Sequence, residues 1–157
     1  MPVPLIDLRD MPGFLKRHQR LIGMDLGTKT IGLALSDVEL TIASPLETVK
    51  RAKFTEDWRI ILSRAASLDA GGFVLGLPIN MDGTEGPRAQ STRAFARNAV
   101  RLTDLPIAFS DERMSTLAVT RALMEADASR ARRAELVDKM AAAYILQNAL
   151  DLLRSGG

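Results

Sequence analysis

Three short apolar runs crowd into residues 20–49 with little more than a turn between them, and beyond that point each apolar run is separated from the next by a helical segment. This change of rhythm narrows the fold sharply. Arg20 to Leu26, Thr30 to Ser36 and Ile42 to Val49 read as strands, and Gly27-Thr28-Lys29 joins the first two tightly enough to require antiparallel neighbours. Thr55 can cap a helix that carries Glu56 and Asp57 in its first turn and Trp58, Ile61, Leu62 and Ala65 at helical spacing. Gly71 and Gly72 are expected to stop it. Phe73-Val74-Leu75 then has the continuous apolar character of a strand buried on both faces. A loop rich in turn residues, Leu77 to Gly86, leads to Pro87 at the first position of a helix reaching Leu102. Ile107 to Phe109 is a further short strand, after which Ser115 or Thr116 opens a helix through Glu125. A long final helix from about Ala131 to Leu153 places Leu136, Val137, Met140, Tyr144 and Ile145 on apolar positions.

A meander followed by strand–helix alternation predicts an α/β domain. Its mixed sheet has five strands, three in an antiparallel meander and two parallel, flanked by helices and with the later strands joined by right-handed crossovers. The chain has 157 residues, 46% of them hydrophobic and 25% charged, as expected of one globular domain with a single core. The domain is assigned to residues 20–157. Residues 1–19, with three prolines among Asp7, Arg9, Asp10, Lys16 and Arg17, read as a poorly ordered N-terminal extension that resembles no signal segment. No stretch approaches membrane-spanning length, so no membrane partner is expected and cytoplasmic residence is the default.

Zero cysteines exclude thiolate zinc sites, cysteine nucleophiles and disulfides, and fit a reducing compartment. The single histidine, His18, lies in the charged N-terminal stretch and reads as a solvated side chain, which leaves Ser-His-Asp and multi-histidine metal chemistry without their parts. Carboxylates, lysines and arginines remain. Net charge is only +2, but Arg93, Arg97 and Arg101 recur at i, i+4, i+8, with Arg88 ahead of them and no acid between. Such a stripe suits phosphates, or is simply a solvated helix face.

Three acids occupy telling positions. Asp25 ends the first strand and Glu112 follows the last, so both fall where ligands gather in such sheets, at carboxyl ends. Asp138 lies in the final helix one turn before Ala141 and Ala142, whose small side chains let a helix approach a sheet closely. Taken singly, Asp25 suits a turn, Glu112 a pairing with Arg113, and Asp138 one with Lys139 or Arg133. Together they would repel unless a hard divalent cation bound them. Two such ions roughly 4 Å apart can activate a water and stabilise the leaving oxygen of a phosphodiester.

MDLGTKTIGLALSD, VLGLPINMDGTEG, SDERMST and ELVDKMAAAYIL, in this order and spacing, resemble the YqgF/RuvX family of ribonuclease H-like nucleases over roughly residues 20 to 153. The resemblance implies a ribonuclease H-like fold. It also implies processing of the 5′ end of pre-16S ribosomal RNA, with Holliday junction resolution as the older alternative. The family's catalytic, metal-holding acids correspond to Asp25, Glu112 and Asp138, with Mg²⁺ or Mn²⁺ as cofactor, two ions when substrate is bound. Some members carry histidine where this chain has Ser110. Lys29 and Arg113 follow metal-site candidates directly and are the expected phosphate partners, with Asn80 in the glycine-rich loop and Arg93 and Arg97 on the helix positioning nucleic acid. The partner is then structured RNA or branched DNA, and the protein a monomer or homodimer. Two rival classes remain at this stage. Asp-Leu-Gly-Thr also opens the phosphate-binding turn of actin-like ATPases, and a noncatalytic nucleic-acid-binding module would share the fold.

Overall fold

The computed structural model describes residues 5–112 and 140–155 in full and the backbone of 130–139. Its strands are β1 (Leu5–Ile6), β2 (Arg20–Leu26), β3 (Thr30–Ser36), β4 (Ala43–Lys50), β5 (Ala70–Leu77) and β6 (Ile107–Asp111). They form one sheet in the order β1-β6-β5-β2-β3-β4. The β2–β3 and β3–β4 pairs are antiparallel and the others parallel. The mixed α/β sheet is therefore as expected, with six strands instead of five. The extra strand comes from the N-terminal segment: Leu5 and Ile6 pair with Ile107 and Ala108. A 3-10 helix, Leu8–Phe14, follows it and buries Leu8 and Met11.

Helices α1 (Phe54–Ser67) and α2 (Pro87–Ala99) cover one face, and α3 (Arg130–Ser155) with the N-terminal 3-10 helix covers the other. On the first face Trp58 lies between Phe73 and Phe95, tilted against the first and edge-on to the second, with ring centroids 4.9 and 5.8 Å away. Trp58, Ile61 and Ala65 are buried as their spacing required. Thr55 is not the cap of α1: Lys53 stands at that position without a side-chain bond, and the buried Asp57 carboxylate instead accepts the Ala52 N–H. Nor do Gly71 and Gly72 stop this helix. Asp69, at φ 54°, makes the turn, a conformation Asp adopts more readily than most residues. The glycines lie inside β5 because the N-terminal segment crosses them, and a methyl group at Gly72 would sit 2.7 Å from Met11 Sδ. The helix foreseen from Ser115 or Thr116 lies outside the described residues.

The other face depends on small residues. Ala141, Ala142 and Ala149 of α3 are buried against the sheet with Ile145, Leu146 and Leu150, whereas Tyr144, expected on the apolar side, is 38% exposed. A methyl group on Gly23 would lie 2.7 Å from Leu146 Cβ and 2.9 Å from the Ala142 carbonyl. Gln147 fixes the helix along its axis, accepting the Ala43 N–H at 2.9 Å and donating to the Thr41 carbonyl at 2.9 Å. Asp37 shapes the turn that Gln147 grips, accepting the Thr41 and Ile42 N–H groups and the Thr41 hydroxyl, and these bonds hold its carboxyl below the usual range. Gly23→Ala should destabilise the protein by about 1–3 kcal/mol through overpacking, read from chemical denaturation. An unchanged midpoint would mean that α3 can stand off without cost.

Candidate active site

Alternation along β2 decides which face each side chain serves. Ile22 and Met24 enter the core under α1 and α2, while Leu21 and Gly23 meet α3. Asp25 falls in phase with Leu21 and Gly23, on the α3 face, and is 1% exposed. It pairs with Gly32 of β3, and on its other side Gly76 of β5 follows the Met24–Leu75 pair. A glycine thus stands beside Asp25 on each neighbouring strand.

Gly76 also links this acid to the second. It pairs with Ser110 of β6, and Leu77 pairs with Asp111, so Glu112 leaves the sheet just beyond. A methyl group at Gly76 would lie 3.4 Å from the Glu112 carboxyl carbon and 2.3 Å from Ile145 Cδ1. The Glu112 carboxylate therefore rests against the position adjacent to Asp25. Ser110, near the end of β6, is buried opposite Gly76.

Asp138 is in α3 by its backbone; its side chain lies outside the described residues. The direction of the helix is nonetheless clear. Leu146 sits on Gly23, and Gln147 reaches Ala43, which pairs with Ser36, whose hydroxyl in turn accepts the Leu21 N–H. The later turns thus lie toward the amino end of β2. Nine residues earlier, about 13 Å along the axis, the Asp138 backbone is displaced toward the carboxyl end, where Asp25 stands. Arg113 lies outside the described residues.

Arg88 is the cation closest to Asp25 among the ion pairs of the described residues. From the second position of α2, directly after Pro87, its Nη2 donates to the Leu26 carbonyl at 3.2 Å and stands 3.6 Å from Asp25 Oδ1. The sequence marked Arg88 only as the start of a basic stripe; its place beside a loop that leaves β5 next to Asp25 was the available signal. Arg93 is engaged differently. Its Nε and Nη2 make a fork to Glu85 at 2.6 and 2.8 Å, and its guanidinium lies 5.2 Å from the Phe109 ring centre. Arg97 and Lys29 are exposed, and the turn carrying Lys29 is held by Arg51, whose Nη1 donates to the Gly27 carbonyl.

The loop after β5 folds on itself. Ile79 and Glu85 form a bridge, the Asn80 N–H donates to the Thr84 carbonyl, and Asn80 Nδ2 donates to Thr84 Oγ1. Asp82 accepts both the N–H and the hydroxyl of Thr84, and Gly83 takes φ 90° at the tip. Asn80 is exposed but is bonded across the loop. The Glu85–Arg93 fork then ties the loop to α2.

A buried Asp25 and a half-buried Glu112 at the carboxyl end of a mixed sheet, opposite a closely packed helix, are the arrangement of a ribonuclease H-like fold. The fold is shared with a Thermus thermophilus RuvC bound to a Holliday junction substrate, at TM-score 0.55 and 18% identity over 88% of this chain and 97% of that one. The family model described as RuvX: Holliday junction resolvase matches residues 19–152, and the chain belongs to that family. A relative from Paramagnetospirillum magneticum, named "Putative pre-16S rRNA nuclease", is 60% identical over 95% of this chain and 96% of its own length. One of the same name from Methylocella silvestris is 56% identical over 98% and 96%. Membership of a nuclease family displaces the ATPase reading of the Asp-Leu-Gly-Thr turn, and enzymes of the RuvC-like fold generally use divalent metals.

The Arg93 guanidinium holds the Glu85 carboxyl below its ordinary range, chiefly by hydrogen bonding. A lowered acid contributes order that is present above its ordinary titration range and is lost as the pH falls through the lowered value. Amides of residues 79–85 should therefore exchange faster in Glu85→Gln than in wild type at pH 7, with the difference closing on acidification. Equal exchange at pH 7 would show that the loop stands on its backbone bonds alone.

Proposed function

We propose that this protein is a divalent-metal-dependent endonuclease that hydrolyses phosphodiester bonds in structured RNA, trimming the 5′ end of pre-16S ribosomal RNA. The observation that carries the reading is the placement of the Glu112 carboxylate against Gly76, beside the buried Asp25. A carboxylate with almost no solvent contact, next to a second one, is costly unless cations neutralise the pair. Their oxygen donors suit Mg²⁺ or Mn²⁺, which supply Lewis acidity toward the phosphate and a nucleophilic water. Asp25, Glu112 and Asp138 would hold two such ions.

The chain's own residues supply position and exclusion. Ala142, Ile145 and Leu146 close one side of the site, so substrate enters from the carboxyl edge of the sheet, between the β2–β3 turn with Lys29 and the self-bonded loop with Asn80. Lys29 and Arg113 would contact phosphates near the acids, and Arg97 would contact backbone farther along. Because Arg93 is forked to Glu85, its share in binding runs through the loop it steadies or through its remaining nitrogen. Contacts of this kind read backbone and shape more than base identity. On the RNA, where one strand is cut, the protein would act as a monomer. A homodimer would suit the second reading, resolution of a symmetric four-way junction, which the description of the family as Holliday junction resolvases favours.

Asp25→Asn should lower metal-dependent cleavage by more than about 100-fold, beyond the usual cost of losing a residue that merely supports a metal ligand. Binding should persist. The assay offers precursor ribosomal RNA ends and a mobile four-way DNA junction to the wild type and the variant at matched salt. Faster cleavage of the RNA supports the first reading and faster cleavage of the junction the second. Undiminished cleavage by the variant overturns both.

A further inference from the structure

We propose that Arg88 is the resident counter-charge of the acidic site, standing beside Asp25 until a substrate phosphate draws its guanidinium away, so that metal and nucleic acid bind cooperatively. This rests on the metal-binding part of the function above.

The arrangement is specific to this arginine. Arg93 is forked to Glu85, whereas Arg88 touches the site itself. At 3.6 Å the contact with Asp25 Oδ1 is too long for a hydrogen bond but well within ion-pair reach. Its guanidinium hydrogen-bonds instead to the carbonyl of Leu26, the residue directly after Asp25. The Arg88 side chain is 46% exposed while that of Asp25 is 2% exposed, so the cation spans the boundary between solvent and the buried acid. A guanidinium keeps its charge at every physiological pH, so its repulsion of an incoming divalent cation cannot be relieved by losing a proton. Relief has to come from movement or from an added negative charge.

A phosphodiester supplies that charge. The planar fork of arginine matches two phosphate oxygens, and Arg88, held by one carbonyl hydrogen bond and the ion pair with Asp25, can turn toward substrate as the incoming metal takes over the charge of Asp25. Once it pairs with phosphate, its field no longer opposes a cation at Asp25. By linkage, a residue that makes substrate favour metal makes metal favour substrate to the same degree. The free enzyme then binds metal weakly and the complex binds it well. The other elements of the site are compatible with such a swing, since the β2–β3 turn is held separately by Arg51 and the loop after β5 by Glu85 and Arg93.

Titrating Mn²⁺ into the full-length protein by calorimetry tests the proposal without any turnover. Arg88→Gln should bind Mn²⁺ about fivefold or more tightly than wild type, the lower end of ordinary coupling between sites. Arg88→Lys, which keeps the charge, should return the affinity toward that of wild type. In metal-free buffer, the salt dependence of binding a stem–loop RNA should fall by about one phosphate contact in Arg88→Gln. Equal or weaker Mn²⁺ binding by Arg88→Gln, or an unchanged salt slope, overturns the proposal. A wild type that binds no Mn²⁺ overturns this proposal and the metal-dependent mechanism together, while a wild type that binds Mn²⁺ but cleaves nothing sinks only the nuclease reading.

Discussion

The close approach of the long final helix to the sheet is the constraint on which the rest of this structure depends. An ordinary helix packs on a sheet with a layer of branched side chains between them. Here the Ala142 carbonyl and Leu146 Cβ occupy the space a side chain on Gly23 would take, and Ile145 does the same at Gly76. That closeness removes water from the α3 face of β2 and β5, which is why Asp25 is buried although it sits at the rim of the sheet. The acid's environment is therefore a product of packing several residues away. The same glycine that admits Ile145 also clears room for the Glu112 carboxylate, so helix docking and the gathering of acids share one structural cause.

Much of this was legible in the sequence because the period of the apolar pattern changes at about residue 50. Strands β2 and β3 match their expected bounds, since the turn at Gly27-Thr28-Lys29 leaves little freedom. The alanines around position 142 correctly marked a tight helix–sheet contact. Two kinds of information were not local. Gly71 and Gly72 read as a helix stop because glycines usually act on their own backbone, yet here they make way for Met11, Leu15 and Gln19, some 50 residues earlier. A two-residue strand such as Leu5–Ile6 has no period to detect, and only its partner β6 reveals it.

The site divides in the same way. Asp25 and Glu112 could be placed from strand ends alone, because a strand's exit from a sheet is a local event. The arginines could not be sorted by spacing. Arg88, Arg93 and Arg97 form one stripe in sequence, but a fork to Glu85 takes Arg93, the Leu26 carbonyl draws Arg88 inward, and Arg97 is left facing solvent. Their different surroundings follow from the loop after β5, whose path depends on bonds among Asn80, Asp82 and Thr84 that no periodicity records.

The short strand at the N-terminus carries a practical consequence. The family model matches only from residue 19, which invites trimming the chain to that point. Yet β1 is the outer neighbour of β6, the strand from which Glu112 emerges. A trimmed protein would turn β6 into a bare edge, open to pairing with other molecules, and would uncover the apolar strip beneath Leu8 and Met11. Residues 5–14 thus act as a splint on the strand that leads to Glu112, and losing them would be felt as aggregation and as a slackened Glu112 before any contact with nucleic acid was changed.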